Sequence, residues 1–73
     1  MKFNPGDLVT PKFENVNLYD GPPEAGRAIY TGVSMLKTNI GLVIAVHGAG
    51  CLSAYVVGSF GCGWVLSGLV TKV

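Results

Sequence analysis

The stretch Ile40-Gly41-Leu42-Val43-Ile44-Ala45-Val46-His47, turned by Gly48-Ala49-Gly50 and answered by Ser53-Ala54-Tyr55-Val56-Val57-Gly58-Ser59, decides the fold class. Successive side chains of a strand point to opposite faces of a sheet. On that spacing Ile40, Leu42, Ile44 and Val46 share one face, and Gly41, Val43, Ala45 and His47 share the other. Bulky aliphatics on one side and small residues on the other predict a strand whose large face meets the core. The small face is then the side that a second backbone approaches closely.

Working outward, no Asp, Glu, Lys or Arg occurs between Thr38 and Thr71. A sheet with one wet face normally alternates apolar and polar residues. Here neither face carries charge, so the second face is expected to be covered by another copy of the chain or by a partner. The expected contact residues are Val43, Ala45, Ala54, Val56, Val65 and Val70.

Cys62 to Leu66 supplies the partner of the Ser53 to Ser59 strand. A turn centred between Ser59 and Phe60 sets Tyr55 opposite Trp64 and Val57 opposite Cys62, and cross-strand pairs of this kind stabilise a hairpin. The same register leaves Cys51 near Gly68 rather than Cys62, so a disulfide between the two cysteines is not expected. Ser67-Gly68 interrupts the strand, and Leu69 to Val73 closes the sheet. At the other end Asn4-Pro5-Gly6-Asp7 is a turn that leads into a first strand, Leu8 to Pro11. Residues 13–39 hold most of the charge, with a turn at Asp20-Gly21-Pro22-Pro23 and a strand at Arg27 to Thr31. They read as a long loop or hairpin arm. Five short, closely spaced strands predict one all-β domain, residues 1–73, built as a small five-stranded barrel.

Three segments carry a resemblance: Pro5-Gly6-Asp7-Leu8-Val9, Gly41-Leu42-Val43-Ile44-Ala45-Val46 and Gly63-Trp64-Val65-Leu66-Ser67-Gly68-Leu69-Val70. Together they resemble the small SH3-like barrels common in bacteriophage and marine metagenomic genomes, and the last is also similar to bacterial SH3 domains. Sm-like (LSm-like) proteins build the same barrel and assemble into RNA-binding rings through their edge strands. That resemblance implies a ring-like homo-oligomer with RNA or single-stranded DNA held on one rim. The chain departs from the Sm pattern in leaving no room for an N-terminal helix before Pro5.

Composition narrows the function further. The chain has 73 residues, 49% hydrophobic and 12% charged, with a net charge of +1. Domains of this size bury only about 60% of the surface of the unfolded chain, and many lean on oligomerisation. Nucleic-acid binding requires several phosphates to be neutralised together. The candidates are Lys37, Asn39, His47, Arg27 and Tyr30, with Lys2, Lys12 and Lys72 as the remaining cations. The alternative reading is an SH3-type module that holds a protein or glycan in a groove at Tyr55 and Trp64.

Catalysis is not expected. His47 is the sole histidine, and no carboxylate follows Glu24 to orient it toward Cys51 or Cys62, as a nucleophile and base require. The spacings between His47, Cys51 and Cys62 match no ordinary zinc pair, so no metal or other cofactor is expected. Gly48-Ala49-Gly50 and Gly58-Ser59-Phe60-Gly61 lack the Lys of a phosphate loop. The longest apolar run, Leu42 to Val46, is far below the ~20 residues of a membrane span. Met1 to Asp7 lacks a leader-like apolar run. The expected location is the cytoplasm, of a host cell if the chain is viral.

Overall fold

Short β-branched runs bounded by glycine and proline become strands wherever two such runs can pair. The structure, a computed structural model, describes residues 3–73, so Lys2 lies outside the described residues. These residues form seven strands rather than five: β1 Leu8–Pro11, β2 Asn15–Tyr19, β3 Tyr30–Leu36, β4 Gly41–His47, β5 Ser53–Gly58, β6 Gly61–Leu66 and β7 Val70–Lys72. All pair antiparallel in one sheet, in the order β3-β2-β6-β5-β4-β1-β7. The sheet curls into a half-barrel. Its β1 and β3 sides are tied by the Thr10 hydroxyl, which lies 2.9 Å from the carbonyl oxygens of both Lys37 and Asn39.

The β5–β6 hairpin has the expected register, with Tyr55 opposite Trp64 and Val57 opposite Cys62. Both cysteines are free thiols. Three left-handed residues, Gly48, Gly50 and Cys51, with φ of 89°, 76° and 62°, turn the chain between β4 and β5. Ser67–Leu69 forms a single 3₁₀ turn at the expected break before β7.

Residues 13–39 are not an arm standing off the barrel. Val16, Leu18 and Met35 from β2 and β3 are all buried in the core. Only the connection between these strands, which carries a 3₁₀ turn at Pro23–Ala25, is a loop. The strand expected at Arg27 to Thr31 begins instead at Tyr30.

The two faces of β4 are the reverse of the sequence expectation. Gly41 and Val43 point into the core, while Ile40, Leu42 and Ile44 are 52%, 39% and 46% exposed. Large residues from elsewhere already fill the concave side. A Cβ on Gly41 would stand 3.0 Å from the end of Met35 and 3.3 Å from the Phe60 ring; one on Gly63 would stand 2.6 Å from Cβ of Leu18. Small residues on β4 and β6 are therefore what admit the chain's own Met35, Phe60 and Leu18. The register also shifts between Val43 and Ala45. Such a bulge puts one extra residue on its strand and breaks strict alternation.

The expected contact residues move accordingly. Val43, Ala54, Val56, Val65 and Val70 are each 0% exposed, packed in the chain's own core rather than on an outer face. Ala45 alone of that set is half-buried, opposite the outward-facing Tyr55. Among the described residues no helix is long and apolar enough to cross a membrane.

Candidate functional site

The convex face of the sheet is the surface left to do something. Pairing aligns Leu8 of β1 with Leu42 of β4, Leu42 with Val57 of β5, and Val57 with Cys62 of β6. Leu8 is 48% exposed, and Ile40 and Ile44 flank Leu42 along its strand. The described residues of β4, β5 and β6 include no acidic or basic side chain other than the terminal His47. The result is a contiguous aliphatic patch, with an Asp7–Lys72 ion pair of 3.5 Å at the β1 side.

Farther along the same strands the face becomes aromatic. Tyr55 and Trp64 pack edge to face with centroids 5.4 Å apart, and His47 sits edge-on to Trp64 at 6.3 Å. Tyr19 of β2 pairs with Trp64 and also with Tyr30, whose ring lies 6.3 Å from its own. Tyr55 and Trp64, expected as a groove, are thus half-buried members of an aromatic row.

The loop before β3 is strapped across this end. Asp20 ties it off: its backbone N–H donates to the Ile29 carbonyl at 3.0 Å, and its carboxylate accepts from the Ile29 N–H at 2.8 Å. Glu24 then reaches His47, Oε2 to Nδ1, at 2.5 Å. Partial burial works to raise the Glu24 pKa, but the hydrogen bond from His47 and that from its own backbone hold it below the usual carboxylate value. Glu24 Oε1 and Ser53 Oγ are both shut off from solvent and each lacks a well-formed partner. Ser53 is directly opposite His47 in the β4–β5 ladder.

A carboxylate on His Nδ1 is half of a nucleophile-activating relay. The other half does not assemble here. Ser53 is fully buried and influences the carboxylate rather than the far nitrogen of the ring. Cys51 is buried with its thiol toward the Ser53 carbonyl, 3.9 Å away. Cys62 lies four positions along β6 from Leu66, the residue level with His47, which is roughly 13 Å at strand spacing. The orienting role of Glu24 was not legible in the sequence, because 23 residues separate it from His47 and only the folded loop brings them together. No group of three or more metal-binding side chains occurs among the described residues.

The nucleic-acid candidates do not share a rim within the chain. Asn39 is a structural residue: its side chain accepts from the Leu36 N–H at 2.7 Å, and its own N–H donates to the Leu36 carbonyl at 2.8 Å. Lys37 stands beside it, in the turn between β3 and β4, and His47 lies at the far end of β4. Seven residues of strand put roughly 20 Å between the ends of β4. Arg27 is exposed in the loop near the His47 end, and the Tyr30 hydroxyl is engaged with Ser34 Oγ at 3.0 Å.

Beyond the strap lies a cleft of about 250 Å³. Phe13, Tyr19, Pro23, Leu66 and Leu69 wall it, together with Val16 and with Asn15 and Asn17, which share the outer face of β2 with Tyr19. Sequence reading missed this site, since its residues come from β2, β6 and three separate turns. No protein-family model, curated protein or solved structure matches the chain.

Proposed function

We propose that this chain is a non-enzymatic, self-associating β-module, in which the aliphatic patch of one copy packs on the same patch of a second. The observation that carries this reading is the uncharged outward row through Leu8, Leu42 and Val57, with Ile40 and Ile44 beside it. Contiguous exposed apolar patches mark interaction surfaces. A second copy is the partner guaranteed to present a face of the same chemistry, and two uncharged faces on chains of net charge +1 do not repel. Patch-on-patch contact is self-complementary, which closes as a twofold dimer. A standard interface takes about 800 Å² from each partner, near one fifth of the 4085 Å² surface of the chain.

Face packing is favoured over pairing of sheet edges. Edge strands are blunted by bulges, short length and charged residues. β3 carries Gly32 at φ 86° and is closed at its end by Asn39, while β7 spans only Val70–Lys72 and ends on a lysine. RNA or single-stranded DNA is not part of this reading, because the β3–β4 turn that carries Lys37 and the His47 end of β4 lie at opposite ends of that strand.

The test is an NMR dilution series on methyl-labelled protein. Leu8, Leu42, Ile44 and Val57 methyl signals are expected to shift with concentration while those of the core residues Val43 and Val65 hold still. Spectra unchanged across the series, at a size fitting one chain, would refute self-association.

A further inference from the structure

We infer that the cleft between β2 and the Pro23 turn is a binding site for a neutral saccharide ring. The inference is independent of self-association: β2 is separated from β4 by β6 and β5 in the sheet.

The lining selects the ligand class. Every side chain around the cleft is uncharged, so a phosphate, nucleotide or carboxylate would enter without a counter-charge. A purely apolar ligand would bury the Asn15 and Asn17 amides unpaired, which is costly for any polar group. A pyranose has an apolar C–H face for the rings of Phe13 and Tyr19 and a rim of hydroxyls for the two amides. Drug-sized ligands occupy about 300–1,000 Å³. A cleft of about 250 Å³ accordingly suits one ring of a glycan rather than an extended ligand.

One amide is also preset. Ser34 Oγ donates to Asn17 Oδ1 at 3.0 Å. Its single proton being so used, Ser34 Oγ accepts from the Tyr30 hydroxyl at 3.0 Å. The chain Tyr30–Ser34–Asn17 occupies Asn17 Oδ1 and leaves the Nδ2 hydrogens as donors for a sugar oxygen. Asn15 is exposed and supplies a donor and an acceptor beside it. Asn17 is thus a ligand-binding residue, and Ser34 a positioning residue.

The test titrates ¹⁵N-labelled full chain with maltose, cellobiose, lactose and di-N-acetylchitobiose to 20 mM, reading backbone and side-chain amides. At least one disaccharide is expected to bind in the millimolar range, with shifts centred on the side-chain amides of Asn15 and Asn17 and the backbone of Tyr19. Asn17→Leu should weaken that binding roughly 3–10-fold, the worth of one hydrogen bond. Ser34→Ala should weaken it less. A dispersed amide spectrum for each variant confirms that it folds. Absence of shifts with all four sugars overturns the proposal. So does cleft binding by a polyproline decapeptide or inorganic phosphate in place of the sugars, or sugar binding that Asn17→Leu leaves intact.

Discussion

His47 Nδ1 lies 2.5 Å from Glu24 Oε2 and fastens a loop from the middle of the chain to the end of β4. The contact brings the strap down beside Trp64, which His47 touches edge-on. It also gives Trp64 the role of a reporter on the strap.

Acid should release this strap. Burial opposes ionisation of Glu24, but the hydrogen bonds from His47 and from its own backbone outweigh it and leave the folded pKa lowered. A carboxylate with a lowered folded pKa contributes stability that is complete above its unfolded value, near 4.5, and is lost as pH falls through the folded value. Trp64 fluorescence should therefore change below about pH 4.5, together with a fall in thermal midpoint. In Glu24→Gln the fluorescence step should disappear. A residual loss of stability remains, because Asp7, lowered by the Asn4 N–H against desolvation and by Lys72, titrates in the same direction. An unchanged fluorescence profile in Glu24→Gln would detach the strap from this pair.

Glycine substitutions should separate close approach from open turn. At Gly63 an added Cβ meets Leu18 at 2.6 Å, whereas at Gly68 nothing stands within 4 Å. Gly63→Ala is expected to cost about 1–3 kcal/mol, as overpacking does. Gly68→Ala, with no left-handed φ to strain, should be neutral or stabilise by about 0.4–1 kcal/mol. Urea unfolding of the two variants beside the parent chain checks the sign of each.

The segment joining β1 to β4 should behave as core. Met35 and Leu18 are both fully buried, so Met35→Ala and Leu18→Ala should each lose about 2–5 kcal/mol. Exposed Phe13→Ala should lose far less. Equal, small losses at all three would return residues 13–39 to a loose loop.

How much of this was legible beforehand follows from range. The β5–β6 pairing is local, set by one four-residue turn, and Tyr55 opposite Trp64 could be read from it. The existence of β4 was equally plain. Which way β4 faces was not, because that depends on Leu18, Met35 and Phe60 arriving from distant positions to occupy the concave side. β2 escaped notice because Asn15 and Asn17 flank Val16 among charged and turn-forming neighbours, and only its two inward residues are strongly apolar. The same reversal transfers the apolar contact surface from Val43 and Val56 to Leu42 and Ile44. What survives from the sequence is the lack of charge itself.

The two thiols should differ in reactivity. Cys62 is exposed and Cys51 buried. An aromatic disulfide reagent should titrate one thiol per chain quickly in native buffer and the second only in denaturant. If the outer patch is covered by a second copy, Cys62, level with Val57 and Leu42, should slow as protein concentration rises.

Sedimentation equilibrium at micromolar concentration, run on the parent chain beside a Leu42→Lys/Ile44→Lys double variant, bears most directly on the convex aliphatic patch. The parent chain should give twice its 7.6 kDa mass, and the double variant, folded by circular dichroism, should return to 7.6 kDa. A parent chain that sediments at 7.6 kDa, or a folded variant that keeps the larger mass, would contradict the account.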